Sequence, residues 1–87
     1  MDLLEIMESL RAHIKEEYKI SDDDQDFDDD INIFDYGYVD SFGAVVLTNY
    51  IKVAFDIEID QADMIEFPMG TIREISIFVF KRKNKEI

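Results

Sequence analysis

Three groups of residues have types and spacings that could do chemistry: a serine in the stretch Phe34-Asp-Tyr-Gly-Tyr-Val-Asp-Ser-Phe-Gly43, a lone histidine, and a run of aspartates. A nucleophilic role for Ser41 would need an imidazole or another base to take its proton. The sole histidine, His13, falls in the middle of the first helical segment, at the edge of its apolar stripe, and reads as a partly exposed helix residue. A catalytic triad is not supported. From Asp24 onward, Asp26, Asp28, Asp30 and Asp35 echo a calcium-binding loop. Asp29, however, stands where the sharp turn needs glycine, and Asp35 where a long bidentate glutamate is needed. The expectation is a solvated acidic loop without a dedicated metal site. Asp35 and Asp40 flank the serine, but paired carboxylates need a desolvated cleft to split their pKa values, and no pattern implies burial here. No catalytic residue is assigned.

The elements that position these residues can be read from periodicity. From Asp2 to about Lys19, Leu3, Ile6, Met7, Leu10, Ile14 and Tyr18 recur at three- and four-residue steps, the mark of an amphipathic helix. Ser21 to Asp40 holds nine acids and no base, with seven aspartates between Asp22 and Asp30. Mutual repulsion and low propensity resist a helix there, which leaves a long loop pinned to the core by Ile31 and Phe34. A second helix should begin at Asp40 or Ser41, both good N-caps. Its residues Phe42, Val45, Val46, Leu47, Tyr50, Ile51, Ala54 and Phe55 read as a broad apolar surface buried between other helices. Asp56 to Asp60 alternates briefly, and Ala62 to Glu66 reads as a short helical turn ended by Pro68 and Gly70. Thr71-Ile-Arg-Glu74 is a capping box opening a last helix with Ile72, Ile75, Phe78 and Val79 inward. The fold class is all-α: a small four-helix bundle, three principal helices plus one short one, with a long acidic loop between the first and second.

At 87 residues the chain makes one small domain, residues 1–87, with no room for a second core. Nine Lys and Arg against 21 Asp and Glu give a net charge of −12, which disfavours nucleic acid and favours basic protein partners. The absence of cysteine excludes disulfides and thiolate chemistry. The N-terminus lacks a signal peptide's basic start and apolar run, and the apolar stretch around Ile75 to Phe80 is too short to span a bilayer. A cytoplasmic monomer that does not insert into membranes is expected.

A hydroxyl in the first turn of a helix, after a loop, projects where another protein can reach it. The helix N-terminus offers free N–H groups and a positive dipole end, both suited to a phosphodiester. Gly43 costs about 1 kcal/mol of helix propensity relative to alanine. Its reading here is steric: no side chain obstructs a modifying enzyme. Asp40 caps the helix and can offer a carboxylate to a partner's metal or basic groups. The competing reading makes Asp40 and Ser41 a plain helix cap followed by a core Phe42.

These residues resemble a known family. Asp40-Ser41-Phe42 is similar to the Asp-Ser-Leu motif of acyl carrier proteins, whose serine receives 4′-phosphopantetheine. Phe42, Val45, Leu47, Ile51 and Phe55 fall on the family's apolar helix-two positions. Ile57 and Ile59 match its "Phe-Gly-Ile-x-Ile" segment, with Asp56 where glycine is usual and Asp60 where proline is usual. Phe34, Asp35, Gly37, Asp40, Ser41 and Gly43 also resemble the pattern of D-alanyl and related aminoacyl carriers, although residues 61–70 lack the tryptophan segment expected of a D-alanyl carrier. The fatty-acid carriers' acids along helix two are missing: Val46, Lys52 and Val53 stand there, and no acid occurs from Ser41 through Phe55.

The resemblance implies a phosphoprotein without catalysis of its own. It would bear covalent 4′-phosphopantetheine on Ser41, with Asp40, Phe42, Gly43 and Val46 as recognition residues. Its partners would be a phosphopantetheinyl transferase, an acyl- or aminoacyl-activating ligase or acyltransferase, and a downstream enzyme that uses the thioester. Partners reading a more apolar helix two would touch Val46, Asn49, Lys52 and Val53. The alternatives are a D-alanyl carrier for cell-wall polymers, or a noncatalytic acidic interaction or calcium-responsive module in which Ser41 only caps a helix.

Overall fold

The computed structural model describes all 87 residues and contains four helices and no strand. They are α1 (Leu3–Glu17), α2 (Ser41–Phe55), α3 (Gln61–Glu66) and α4 (Ile72–Lys83). This is the small helical bundle expected, with the long acidic loop between α1 and α2. Each helix starts where a short acceptor can take its free amides. Asp2 and Glu5 form a capping box on α1, Asp60 and Asp63 on α3, and Thr71 and Glu74 on α4.

The core is built from one stripe of each long helix. Ile6, Leu10 and Ile14 of α1 meet Ile72, Ile75, Phe78 and Val79 of α4, while Leu47, Ile51 and Phe55 of α2 close the third side. Ile57 and Ile59 drop into this core from the extended segment after α2, with Asp56, Glu58 and Asp60 outward. The two departures from the family's usual residues are absorbed as caps. Asp56 ends α2 in the left-handed conformation, φ 53°, and Asp60 accepts from the Asp63 amide to start α3.

The loop is ordered by contacts that its composition hides. Ile33 and Val39 are its anchors, essentially without exposure, whereas Ile31 is half-buried and Phe34 lies at the surface. Ile31 therefore packs against the core as expected, while Phe34 does not, and the deepest anchors are Ile33 and Val39. No period exists in this segment to say which side chain turns inward. Neighbouring aspartates are clamped to different helices: Asp29 takes both Nε and an amino group of Arg11 from α1 (2.7 and 2.6 Å), and Asp30 takes Arg73 from α4 in the same way (2.6 and 3.2 Å). Asp24 accepts from the Tyr38 hydroxyl, and burial together with this bond pushes the Tyr38 phenol up to about 12.

Half of the apolar surface expected to be buried on α2 faces solvent. Leu47, Ile51 and Phe55 face inward beside Gly43 and Tyr50 packs against the core, but Phe42 and Val45 are 79% and 70% exposed, and Val46 and Ala54 are exposed as well, with Val53 outward beside them. The helix is apolar nearly all round yet has helices on one side only. Apolar patterning alone cannot separate this case from a fully enclosed helix.

Candidate functional site

Ser41 is the first residue of α2 and is exposed. Asp40 precedes it with an extended backbone, and its carboxylate accepts from the Gly43 amide at 2.7 Å. The Asp40 carbonyl accepts the first helical bond, from Ala44 at 2.8 Å. The amides of Ser41 and Phe42 come too early in the helix to have an intrahelical acceptor. The first turn of α2 carries no acid. A hydroxyl therefore stands in solvent at the positive end of a helix 15 residues long, where an attached anion would meet free N–H groups.

Gly43 has a different reason from the one its sequence position suggested. It is buried, and a Cβ there would lie 3.0 Å from Cε1 of Tyr18 and 3.1 Å from Cγ1 of Val39. The Tyr18 hydroxyl also donates to the Gly43 carbonyl at 2.8 Å. Glycine lets the end of α1 and the loop before the serine close onto the first turn of α2. The clearance it gives is inward, toward the protein's own core, rather than outward to a visitor. Tyr18 belongs to the site for this reason, and its place at the end of the α1 stripe was the only sign of it in the sequence.

The other candidates fall away from this site. His13 stacks flat on Tyr50 with ring centroids 3.4 Å apart, and its Nε2 has no hydrogen-bond partner. The aspartate run is spent on arginines, a tyrosine and its own turns, and no three acidic or histidine side chains converge in a way that could hold a metal ion. Phe42 is not a core residue. With Val45, Val46, Asn49 and Val53 it lines the outer side of α2, so the residues flanking Ser41 divide between an inward Gly43 and an outward Phe42.

Two concavities adjoin the serine helix. One is an apolar cleft of about 250 Å³ between α2, α3 and the start of α4, lined by Ala44, Leu47, Ile51, Ile59, Met64 and Met69. Phe42, Tyr50 and Phe55 stay out of it, so space does exist beside the core. The other is a shallow groove of about 320 Å³ between α2 and α3, bordered by Val45, Thr48, Asn49 and Lys52. Met64 lines both.

The wall formed by α3 is held by charge. Asp63 is the helix's only buried residue, and Arg82 of α4 reaches it at 2.7 and 3.3 Å while also lying over the Phe78 ring. These bonds and that from the Asp60 amide hold the Asp63 carboxyl below the usual carboxylate range.

No helix is long and apolar enough to cross a membrane. A search of curated proteins finds none that matches the chain. A family model described as phosphopantetheine attachment site matches residues 8–79, a span that takes in every element just described except the two ends of the chain. The site's chemistry fits that group: a free hydroxyl, unpaired amides and no carboxylate in the first turn of its helix. The chain therefore belongs to the phosphopantetheine-attachment family, carriers that bear 4′-phosphopantetheine covalently on a serine.

Proposed function

We propose that Ser41 is the serine that carries the arm, and that the protein holds short acyl or aminoacyl groups for enzymes that come to it. The observation that carries this is the setting of Ser41 among the chain's four serines. Ser76 is fully buried in α4, Ser9 is half-buried within α1, and the Ser21 hydroxyl accepts the Asp23 amide in the acidic loop. Ser41 alone opens a helix, exposed, with Asp40 before it. When bound, the arm supplies a terminal thiol on which cargo is held as a thioester. The chain's own part is to present the hydroxyl, fix the first turn through Tyr18 and Gly43, and give the phosphodiester a positive helix end.

The size of the apolar cleft supports a small cargo. At about 250 Å³ it lies below the roughly 300 to 1,000 Å³ typical of small-molecule sites, which suits a short group better than a long chain. The pattern Phe34, Asp35, Gly37, Asp40, Ser41 and Gly43 favours the aminoacyl branch, with D-alanine for cell-wall polymers as its narrower form. A carrier of this kind needs a phosphopantetheinyl transferase, a loading ligase or acyltransferase and a thioester-using enzyme, with no catalysis of its own. A single domain over residues 1–87, monomeric in the cytoplasm, completes the reading.

The test is placement of the arm. After incubation with coenzyme A and a broad-specificity phosphopantetheinyl transferase, fragmentation of the proteolysed protein should put phosphopantetheine on Ser41. Its appearance on Ser9 or Ser21 would overturn the assignment.

A further inference from the structure

The chain reaches Ser41 through a segment, Asn32 to Val39, that belongs to no helix. One side chain organises it. The Asn32 Oδ1 accepts the amides of Phe34 and Asp35 at 3.0 and 2.9 Å, and the Asn32 carbonyl accepts that of Tyr36 at 3.1 Å. Asp24 and Asp28, further back in the loop, each take one amide in this manner, from Asp26 and Asp30. Asn32 takes two, and so bends the chain into the turn that continues to Gly37, whose φ is 78°.

Both ends of this turn are fastened. The Ile33 amide donates to the Gly70 carbonyl at 2.9 Å, which ties the turn to the link between α3 and α4. Asn32 rests on the same glycine: a Cβ on Gly70 would run into the Asn32 side-chain nitrogen and lie 3.1 Å from its Cγ. At the other end, the Ile33 carbonyl accepts the Val39 amide at 3.0 Å, and buried Val39 lies 3.1 Å from where a Gly43 Cβ would stand. Asp40 then gives its carboxylate to the Gly43 amide and its carbonyl to that of Ala44. Short contacts therefore run unbroken from Gly70 through Asn32, Ile33 and Val39 to the first turn of the serine helix.

We propose that Asn32, seated on Gly70, is a positioning residue for Ser41: it fixes the turn that delivers Asp40 and Ser41 to the start of α2 in one orientation. It acts through Val39 and Asp40, not on the serine itself. This rests on Ser41 being the attachment point for the arm. Phosphoryl transfer draws most of its rate from alignment of the reacting groups, and a misplacement of about 1 Å can cost about 10²-fold. Loss of Asn32 leaves the surface around the serine chemically the same but less well aimed, so the cost falls on kcat.

The test is the steady-state rate of arm transfer from coenzyme A by a broad-specificity phosphopantetheinyl transferase, read by intact mass. Asn32→Ala and Gly70→Ala should each lower kcat about fivefold, with KM for the carrier within about twofold of wild type. The double variant should be no slower than Asn32→Ala, because the Gly70 methyl then has nothing to displace. Asn32→Asp, which keeps the accepting oxygen, should restore kcat to within about twofold of wild type. Ile6→Val, a truncation in the core of α1, lowers the melting temperature and should leave kcat alone. Circular dichroism melts confirm that the variants fold. In the protein without its arm, amide exchange at Gly43 and Ala44 should quicken in Asn32→Ala and stay slow in Ile6→Val. The proposal is overturned if Asn32→Ala and Gly70→Ala keep the wild-type kcat, or if Asn32→Asp falls as far as alanine. It is equally overturned if Ile6→Val slows transfer as much, which would make the effect one of stability alone. Failure of the underlying reading looks different: wild type gains no arm, or Ser41→Ala gains it as wild type does.

Discussion

The Tyr18 hydroxyl donates to the Gly43 carbonyl at 2.8 Å and so ties the end of α1 to the first turn of the serine helix. The same two residues touch a second way, since a Cβ on Gly43 would lie 3.0 Å from the Tyr18 ring. Alanine at this position would gain about 1 kcal/mol of helix propensity. Overpacking against Tyr18 and the buried Val39 costs about 1–3 kcal/mol, and this wins. Gly43→Ala should therefore destabilise by about 1 kcal/mol in urea unfolding, and Tyr18→Phe by a similar amount through the lost hydrogen bond. A more stable Gly43→Ala would mean the glycine serves something outside the fold.

Ser76 is fully buried in α4, and its hydroxyl has no hydrogen-bond partner. An orphaned polar group in an apolar core costs about 1–3 kcal/mol, and alanine is also the better helix former. Ser76→Ala should raise the stability by about 1 kcal/mol, seen as a higher Tm. A lower Tm would show that the hydroxyl has a partner after all.

Asp56 ends α2 at φ 53° and ψ 56°, a conformation that glycine adopts without strain. Asp56→Gly should stabilise by about 0.5–1 kcal/mol, a gain measured by the same urea titration. Loss of stability would mean that the Asp56 side chain matters more than its backbone.

Hydrogen bonds from Arg82, Arg73 and Lys15 hold the carboxyls of Asp63, Asp30 and Asp22 below their ordinary value of 3.8. A carboxylate whose pKa is lower folded than unfolded adds stability above the unfolded value and loses it as pH falls through the folded one. Unfolding curves should therefore weaken below about pH 4. Asp63→Asn should flatten part of that loss. Because Asp63 is the only buried residue of α3, the same variant should speed amide hydrogen exchange in Gln61–Glu66 before it affects α1 or α4. Unchanged exchange in α3 would show that apolar contacts, not the ion pair, hold this wall of the cleft.

The features legible in the sequence were those written in local chemistry. The Thr71–Glu74 capping box, the stripe from Ile6 to Ile14 and the Asp40 cap each lie within a few residues, where periodicity and side-chain reach decide the outcome. What escaped depended on distant partners. Asp30 finds Arg73 across 43 residues, and nothing near Asp30 foretells it. Gly43 looked like clearance for a visitor because Tyr18, 25 residues earlier, could not be placed against it. Phe42, Val45 and Val46 of α2 looked like core because an apolar helix at the edge of a bundle and one inside it have the same composition. Burial separates the two cases: Leu47 and Ile51 fill the core, while Phe42 and Val45 stand in solvent.

The most direct test of the central claim is intact mass after treatment with coenzyme A and a broad-specificity phosphopantetheinyl transferase. The expected result is a gain of one phosphopantetheine in wild type, in Ser9→Ala and in Ser21→Ala, and none in Ser41→Ala. A wild-type protein left unmodified by several such transferases, or a Ser41→Ala variant that still gains the arm, would contradict it.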